Sequence, residues 1–252
     1  MAIDFDVKDG IGEVVINNPP VNALDSKGWF EFAEGITAMG KRSDVNCIVI
    51  RAEGKGFQAG VDIKELAEDG TKILQVNRGC YDTFGAIYDC PVPVISAVHG
   101  YCLGGGIGIS GSSDFVIASE DATFSLPEID RGALGAATHL QRLFGVQKTR
   151  RMLYTGESIT AQEAHRIGGV ESVVPKAQLR DEAMKIARTI ADKSPKALRL
   201  AKWSVNGIEP IDIKESYRYE QGFTLELYMS PDSQEARDAF VEKRDAKFSD
   251  DS

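Results

Sequence analysis

Three histidines and four cysteines are few for a chain of 252 residues. None of the cysteines stands in CxxC or CxxH spacing, so the sequence indicates no zinc site and no metal. Cys47, Cys80, Cys90 and Cys102 sit in apolar or mixed surroundings and read as reduced, buried thiols of a cytosolic protein rather than disulfides. Long apolar runs are also missing. Pro91, Pro93, His99 and the neighbouring glycines interrupt the best candidate, so no membrane span is expected. The opening MAIDFDVKDG lacks the basic-then-apolar pattern of a signal peptide, which points to a cytoplasmic protein. Positive charge is in deficit: 29 Lys and Arg against 38 Asp and Glu leave a net charge of −9. That balance argues against nucleic acid or an anionic membrane as the main partner. It leaves open a small anionic ligand held by local basic groups.

What is present suits one large soluble domain with a helical appendage. Ile3–Val7 and Glu13–Ile16 read as strands joined by the hairpin signal Asp9-Gly10-Ile11-Gly12. Ser26 is placed to cap a helix running to about Met39. Cys47–Ile50 is a continuous apolar strand expected to be covered on both faces. A helix start near Asp62, a helix over Thr71–Tyr88, a strand at Pro93–Val98 and strands at Phe115–Ala118 and Ala122–Phe124 follow. From Gly145 onward the pattern is mostly helical: Gln147–Tyr154, Thr160–Ile167, Leu179–Lys193, Ala197–Gly207, Ile213–Tyr228 and Ser233–Lys247, with one strand-like interruption at Val170–Val174. Ser194-Pro195 is a helix-start signal. The chain thus divides into a strand–strand–helix core over residues 1–195 and a helical region over 196–252. No low-complexity linker separates them, so the helices are expected to pack on the core or on another subunit.

Two stretches carry a common design. Gly100–Gly111 (GYCLGGGIGISG) and Phe57–Asp62 (FQAGVD) each run from a strand through small residues to a helix start. The first N–H groups of a helix lack intrahelical partners, and glycine leaves them unobstructed. Two such mouths can aim two N–H groups at one carbonyl oxygen that becomes negative during a reaction. The same residues also serve as tight turns, and residue order does not separate the two readings. The literal Gly106-x-Gly108-x-x-Gly111 is a weak dinucleotide signal. Its helix has room only for Gly105–Ser113, and Glu120 comes too early for the ribose-binding acid. Glu128, after Pro127 in an apolar setting, is a candidate general base or acid if burial raises its pKa. Its plainer reading is a carboxylate interacting with the N-terminus of its own helix.

Six or more separated motifs, in order along the chain, resemble the enoyl-CoA hydratase/isomerase (crotonase) superfamily. They are Asn18–Leu24 (NPPVNAL), Phe57–Glu65 (FQAGVDIKE), Gly100–Gly108, Ser113-Asp114 with Ile117-Ala118, Leu126-Pro127-Glu128, Gln141-Arg142-Leu143 and Ala239–Arg244 (AFVEKR). The resemblance implies an α/β fold, a spiral of ββα repeats, with a C-terminal helical region that trimerises and often pairs into hexamers. It implies an acyl-CoA substrate, with coenzyme A as part of the thioester and no redox or metal cofactor. The N–H groups of Val61 and Gly105 would form the oxyanion hole, with Gly60 and Gly104 beside them. Val21, Ala23, Ala59, Asp62 and Ile63 would line the CoA path. Cys102 lies close enough to the second loop to line the pocket. Phe240 and Lys243 match a C-terminal helix that reaches the CoA of a neighbouring subunit, where a lysine near a phosphate suits an acidic protein with an anionic ligand.

One departure stands out. Hydratases of this family carry two glutamates; here the first position is Gly108, and only Glu128 remains. Where isomerases of the family place an acid, this chain has Gly135-Ala136-Ala137. One carboxylate with an oxyanion hole suits single-base enolate chemistry. Asn77–Cys80, Glu128–Leu140 and Tyr217–Phe223 resemble a branch that hydrolytically opens a steroid-derived ring held as a CoA thioester. Enoyl-CoA isomerisation or hydration is the alternative enzyme reading, and a non-catalytic CoA- or RNA-binding scaffold the alternative of another class. Asp130, Arg131 and His139 are candidates to complete the polar pocket; the plainer readings are an ordinary exposed ion pair for Asp130-Arg131 and a satisfied helix histidine for His139. Arg78 is left between a substrate carboxylate and a structural acid. Asp114 reads as structural, and Tyr217, Tyr219 and Phe223 as a trimer contact.

Overall fold

The computed structural model describes residues 2–210 and 212–247. Among the described residues nine strands form two sheets. The larger sheet holds β1 (Ile3–Lys8), β2 (Ile11–Ile16), β3 (Cys47–Ala52), β4 (Val94–Val98), β6 (Phe115–Ser119) and β9 (Ser172–Val174) in that order. The smaller holds β5 (Tyr101–Leu103), β7 (Thr123–Ser125) and β8 (Ile159–Thr160). β1 and β2 form the antiparallel hairpin, and the rest of the large sheet is parallel. From β4 onward a strand of the larger sheet is followed by one of the smaller and then by a helix: β4, β5 and Gly105–Ser112, then β6, β7 and Ala137–Thr155. The sequence missed β5, a three-residue strand that its glycine-rich surroundings disguise.

The central strands β3 and β4 of the large sheet are buried on both faces. Ile48 and Ile50 of β3 face a core shared with Trp29, Phe32 and Ile36 of α1 (Ser26–Gly40) and Phe84 of α3 (Ile73–Tyr88). Cys47 and Val49 face Leu179, Ala183 and Ala187 of α7 (Leu179–Ala191). Continuous apolar strands are what a doubly covered parallel sheet requires. At the start of α1 the cap is Asp25, not Ser26: Asp25 Oδ1 accepts the Gly28 N–H at 2.7 Å. Ser26 is already inside the helix, and its N–H and hydroxyl donate to Glu65 at 2.8 and 2.6 Å. That contact ties α1 to α2 (Ile63–Glu68).

After α4 (Gly105–Ser112), the helical part comprises α5 (Ala137–Thr155), α6 (Ala161–Arg166), α7, α8 (Pro195–Ile208), α9 (Ile213–Tyr228) and α10 (Pro231–Glu242). α5 starts ten residues earlier than the helical pattern suggested, with a break at Gly145 where φ is 71°. α9 lies on α3 and α5, and α10 on the turn at Pro127–Arg131. α8 is held to the core by polar contacts. Arg199 donates to the carbonyls of Gly40, Arg42 and Val45, and Lys202 Nζ meets Asp114 Oδ2 at 2.7 Å. Asp114 also accepts the Val94 N–H at 2.7 Å, which bears out its structural reading. The side chain of Lys202 is only 3% exposed.

Removing one partner of a buried ion pair strands the other charge. Lys202→Met is therefore expected to cost about 3–5 kcal/mol in urea unfolding, and adding Asp114→Asn to recover part of that loss.

Candidate active site

The first loop is shaped from inside by Gln58. Its fully buried amide makes two hydrogen bonds to one glycine: Nε2 donates to the Gly60 carbonyl, and Oε1 accepts the Gly60 N–H, both at 2.7 Å. The Gly60 carbonyl also accepts the Leu24 N–H at 3.1 Å, and the Asp62 N–H donates to the Leu24 carbonyl at 2.9 Å. In this parallel bridge the residues flanking Val61 bond to Leu24, so the N–H of Val61 itself points the other way. Asn22 fixes the segment that crosses it, donating to the carbonyls of Glu53 and Gly56 at 2.8 and 2.9 Å. Motif by motif, the Asn18–Leu24 segment is scaffold for this loop.

The second loop lies against the first. A methyl group on Gly60 would stand 3.5 Å from the Gly105 nitrogen. Gly104 caps α4 with φ 52° and ψ −110°, a conformation open to glycine. Its carbonyl accepts from Ile107 and Gly108, at 2.9 and 3.2 Å. Among the described residues, neither the Val61 nor the Gly105 N–H donates to a backbone carbonyl. Glycine at 105 answers to more than substrate access: a Cβ there would lie 2.6 Å from the ring of Trp29, which packs directly beneath.

Glu128 arrives from the far side, on the turn Pro127–Arg131 after β7. Its carboxylate lies against Gly104, where a Cβ would lie 2.3 Å from Oε1. Its Oε2 is buried without a hydrogen-bond partner. Burial pushes the Glu128 pKa up to about 7, opposed by a bond from its own backbone and by Arg131 and assisted by Glu220. Glu128 does stand in the first turn of this short helix, as its plainer reading has it, and the effect of burial on its pKa outweighs that of the terminus.

A cavity of about 90 Å³ opens on Val61, Gly104, Gly105 and Glu128. Val76, Cys80 and Phe84 of α3 and Tyr217 and Tyr228 of α9 close it. A groove of about 800 Å³ runs outward from the same place, between Val21, Ala23, Ala59, Asp62 and Ile63 on one side and Arg131 and Phe240 on the other. Val61 lines both. A long polar ligand in the groove with a compact group in the cavity would therefore pass its link by the two N–H groups and Glu128.

Gly108 is not an empty place for an acid. A Cβ there would lie 2.1 Å from the ring of Phe84, so an aromatic side chain fills the space a glutamate would need. Phe84 belongs to a cluster with Trp29, His139 and Tyr217, at ring-centre distances of 5.7, 4.7 and 5.4 Å.

Several expectations need correction. Cys102 lines neither space: it is fully buried, its Sγ 3.6 Å from Ser110 Oγ, with burial pushing the thiol up to about 12. His139 sits between the rings of Phe84 and Tyr217, completely buried, with its pKa lowered to about 3 by burial, so it is a neutral core side chain. Asp130 lies beside Gly156, away from the cavity. Arg131 does reach the groove, its guanidinium 4.9 Å from the Phe240 ring centre. Phe240 lines the groove of its own chain, because α10 folds back on the Glu128 turn through Ser233 and the Gly132 carbonyl, and its reach to the CoA of a neighbouring subunit stays a proposal. Lys243 ends α10 with φ 55° outside the groove of its own chain, where Lys64 and Arg131 supply the positive charge, and its role toward a neighbouring subunit stays a proposal. Arg78 is exposed and paired with Asp82 at 2.7 Å. Tyr217 is a wall of the cavity, whereas Tyr219 and Phe223 are exposed.

Thr224 and Tyr228 of the cavity wall were not singled out in the sequence, and Asn77 and the Ala133–Ala136 loop were noted only within segments that resemble the ring-opening branch, with no place in a wall. On α3 the wall residues Ile73, Val76, Cys80 and Phe84 recur at helical spacing, which is also the signature of an ordinary core face.

The comparisons agree with this geometry. The enoyl-CoA hydratase/isomerase family matches residues 6–251. A (7aS)-7a-methyl-1,5-dioxo-2,3,5,6,7,7a-hexahydro-1H-indene-carboxyl-CoA hydrolase of Rhodococcus jostii is 51% identical, covering 93% of this chain and 92% of that protein. The protein of the same name from Mycobacterium tuberculosis is 50% identical, covering 93% and 96%. The solved structure of an enoyl-CoA hydratase/isomerase from Xanthobacter autotrophicus superposes with a TM-score of 0.89 at 27% identity, over 99% of both chains. Family match, fold and the paired loops converge, and the chain belongs to the enoyl-CoA hydratase/isomerase family.

Proposed function

We propose that this chain hydrolyses a ring carbon–carbon bond of a steroid-derived bicyclic keto acid held as its CoA thioester. The observation that carries the reading is one carboxylate, Glu128, beside the Val61 and Gly105 N–H groups, with Phe84 in place of a second acid. Its support from relatives is the name of the two proteins at 51% and 50% identity, hydrolases of a methylated dioxo-hexahydroindene carboxyl-CoA.

In this reading the groove holds the CoA chain and the thioester oxygen lies at the two N–H groups. Glu128 takes a proton from water, and the hydroxide adds to a ring ketone. The resulting tetrahedral centre collapses to a carboxylic acid. The ring carbon–carbon bond breaks, and its electron pair becomes an enolate, or its vinylogue, on the thioester oxygen. Glu128 returns the proton to that carbon. One water is consumed, one carboxylate is formed, and the N–H pair stabilises the charge only while it exists.

The assembly belongs to the same reading. Leu200, Trp203, Val205 and Ile208 of α8 and Tyr219 and Phe223 of α9 are exposed. We infer that these faces join copies of the chain in a trimer, or a dimer of trimers. Sedimentation of the pure protein is expected to give three or six chains; a monomer at micromolar concentration would remove this part.

The reaction is tested with the pure protein and three thioesters: a bicyclic keto-acid CoA, crotonyl-CoA and a 3-enoyl-CoA. Gain of one water with a new carboxylate on the bicyclic substrate alone is expected. Conserved mass on the 3-enoyl-CoA would mean isomerisation instead. Glu128→Gln is expected to lower turnover by about 10²–10⁴ while CoA binding is kept. Because the carboxylate form is the base, kcat/KM should fall about tenfold per pH unit below about 7 and level off above it. The same shift has a stability sign. A carboxyl pKa raised from 4.5 to about 7 favours the folded state at low pH and loses that contribution as pH rises through 7. Glu128→Gln should therefore be more stable than the natural chain at pH 8, by at most about 3 kcal/mol, and equally stable at pH 4.

Gly108→Glu is expected to give insoluble or strongly destabilised protein rather than a hydratase, because Phe84 occupies the space. Adding Phe84→Ala should restore solubility. Crotonyl-CoA hydration by the single variant at the level of a dedicated hydratase would contradict the packing.

A further inference from the structure

Three of the buried polar side-chain atoms left without a hydrogen-bond partner belong to residues that line one cavity: Glu128 Oε2, Asn77 Nδ2 and Tyr228 Oη. Glu128 has a role in the reaction above, and the other two have none. An unpartnered buried donor costs about 1–3 kcal/mol, so two beside a largely apolar space call for an acceptor from outside the chain. Their setting is otherwise settled. Gln221 Nε2 donates to the Asn77 carbonyl at 2.7 Å and holds α3 against α9. The guanidinium of Arg237 lies 4.1 Å from the ring centre of Tyr228. Thr224, on the same wall, is already satisfied by donating to the Leu134 carbonyl at 3.1 Å.

Ring opening by water creates negative charge at two separate oxygens. The thioester oxygen has Val61 and Gly105. The oxygen of the attacked ketone becomes an alkoxide when hydroxide adds, and it lies on the ring system, away from the thioester. We propose that Asn77 Nδ2 and Tyr228 Oη are the donors for the ring oxygens of the acyl group, one oxygen each, and that one of them stabilises the alkoxide at the attacked carbon. This rests on the reading of the substrate as a bicyclic acyl-CoA with two ring ketones. The donors make the cavity selective: an acyl group without ring oxygens leaves both unpaired, which is a strong ground for rejection.

The test is a cycle between residue and ligand. Tyr228→Phe and Asn77→Leu remove one donor each with little change of volume. Each is expected to lower kcat/KM on the dioxo substrate by about 10–10³-fold, with the affinity for free CoA unchanged. The donor at the attacked ketone should act on kcat, and the other on KM. Thermal stability should hold or rise, since an unsatisfied polar atom has been removed; a structural hydrogen bond would show a loss. The same variants are then made in Glu128→Gln, and binding is measured with the dioxo thioester and with analogues that carry methylene at one ring ketone. Each donor's loss should vanish against the analogue lacking its oxygen. Losses that add independently of the ring oxygens overturn the inference. Coupled losses in binding, with no ring opening by the natural chain, would leave the donors in place and overturn the hydrolysis reading instead.

Discussion

The site depends on the close approach of two backbone segments, and that approach is held by the amide of Gln58. A primary amide can donate to a carbonyl and accept from an N–H of the same residue, and Gln58 does both with Gly60. Its backbone at the same time bridges Cys102, and a Cβ on Gly105 would come within 3.2 Å of its Oε1. One side chain thus lies behind both N–H donors. Polar groups this deeply buried are tolerated only when satisfied, so the pair of bonds also makes the loop conformation costly to leave. Trp29 supports the second loop from below, and the contact of its helix with α3 carries that support into the cavity wall.

The packing that fixes the loops also sets the chemistry. Phe84 fills the space beside Gly108, and the aromatic cluster behind it leaves no place for a carboxylate at that position. Burial, assisted by the nearby carboxylate of Glu220, raises the pKa of Glu128 into the range where it can take and return a proton near neutrality. The unpaired carboxylate, the open N–H groups and the unsatisfied donors of the cavity all cost stability in the free protein. Unsatisfied groups occur elsewhere in the interior too, but here three of them border one cavity that opens on the N–H pair.

The C-terminal helices follow a different rule. α9 closes the cavity with buried aromatic side chains, and α10 brings Phe240 to the groove. α8 rests on charge pairs and carbonyl contacts and turns apolar side chains outward. Its affinity for the core is directional rather than hydrophobic, which leaves its outer face free for another copy of the chain.

Much of this was legible in the residues. Alternation of apolar strands with capped helices marked the ββα spiral. The small-residue loops before Asp62 and Gly105 marked the N–H pair, since glycine and helix starts are local features. Glu128 was legible as an acid in apolar company, and Gly108 as a missing one. What the order of residues could not supply was what lies across the space. Phe84 against Gly108, Trp29 beneath Gly105, and Asn77 and Tyr228 on one cavity are meetings of residues far apart in the chain. Cys102 and His139 each had a core reading beside a pocket reading, and the core reading holds for both: nearness in sequence to a site does not say which way a side chain points. Periodicity marks a buried face, and only the tertiary structure decides whether that face meets another side chain or an empty space that a ligand can fill.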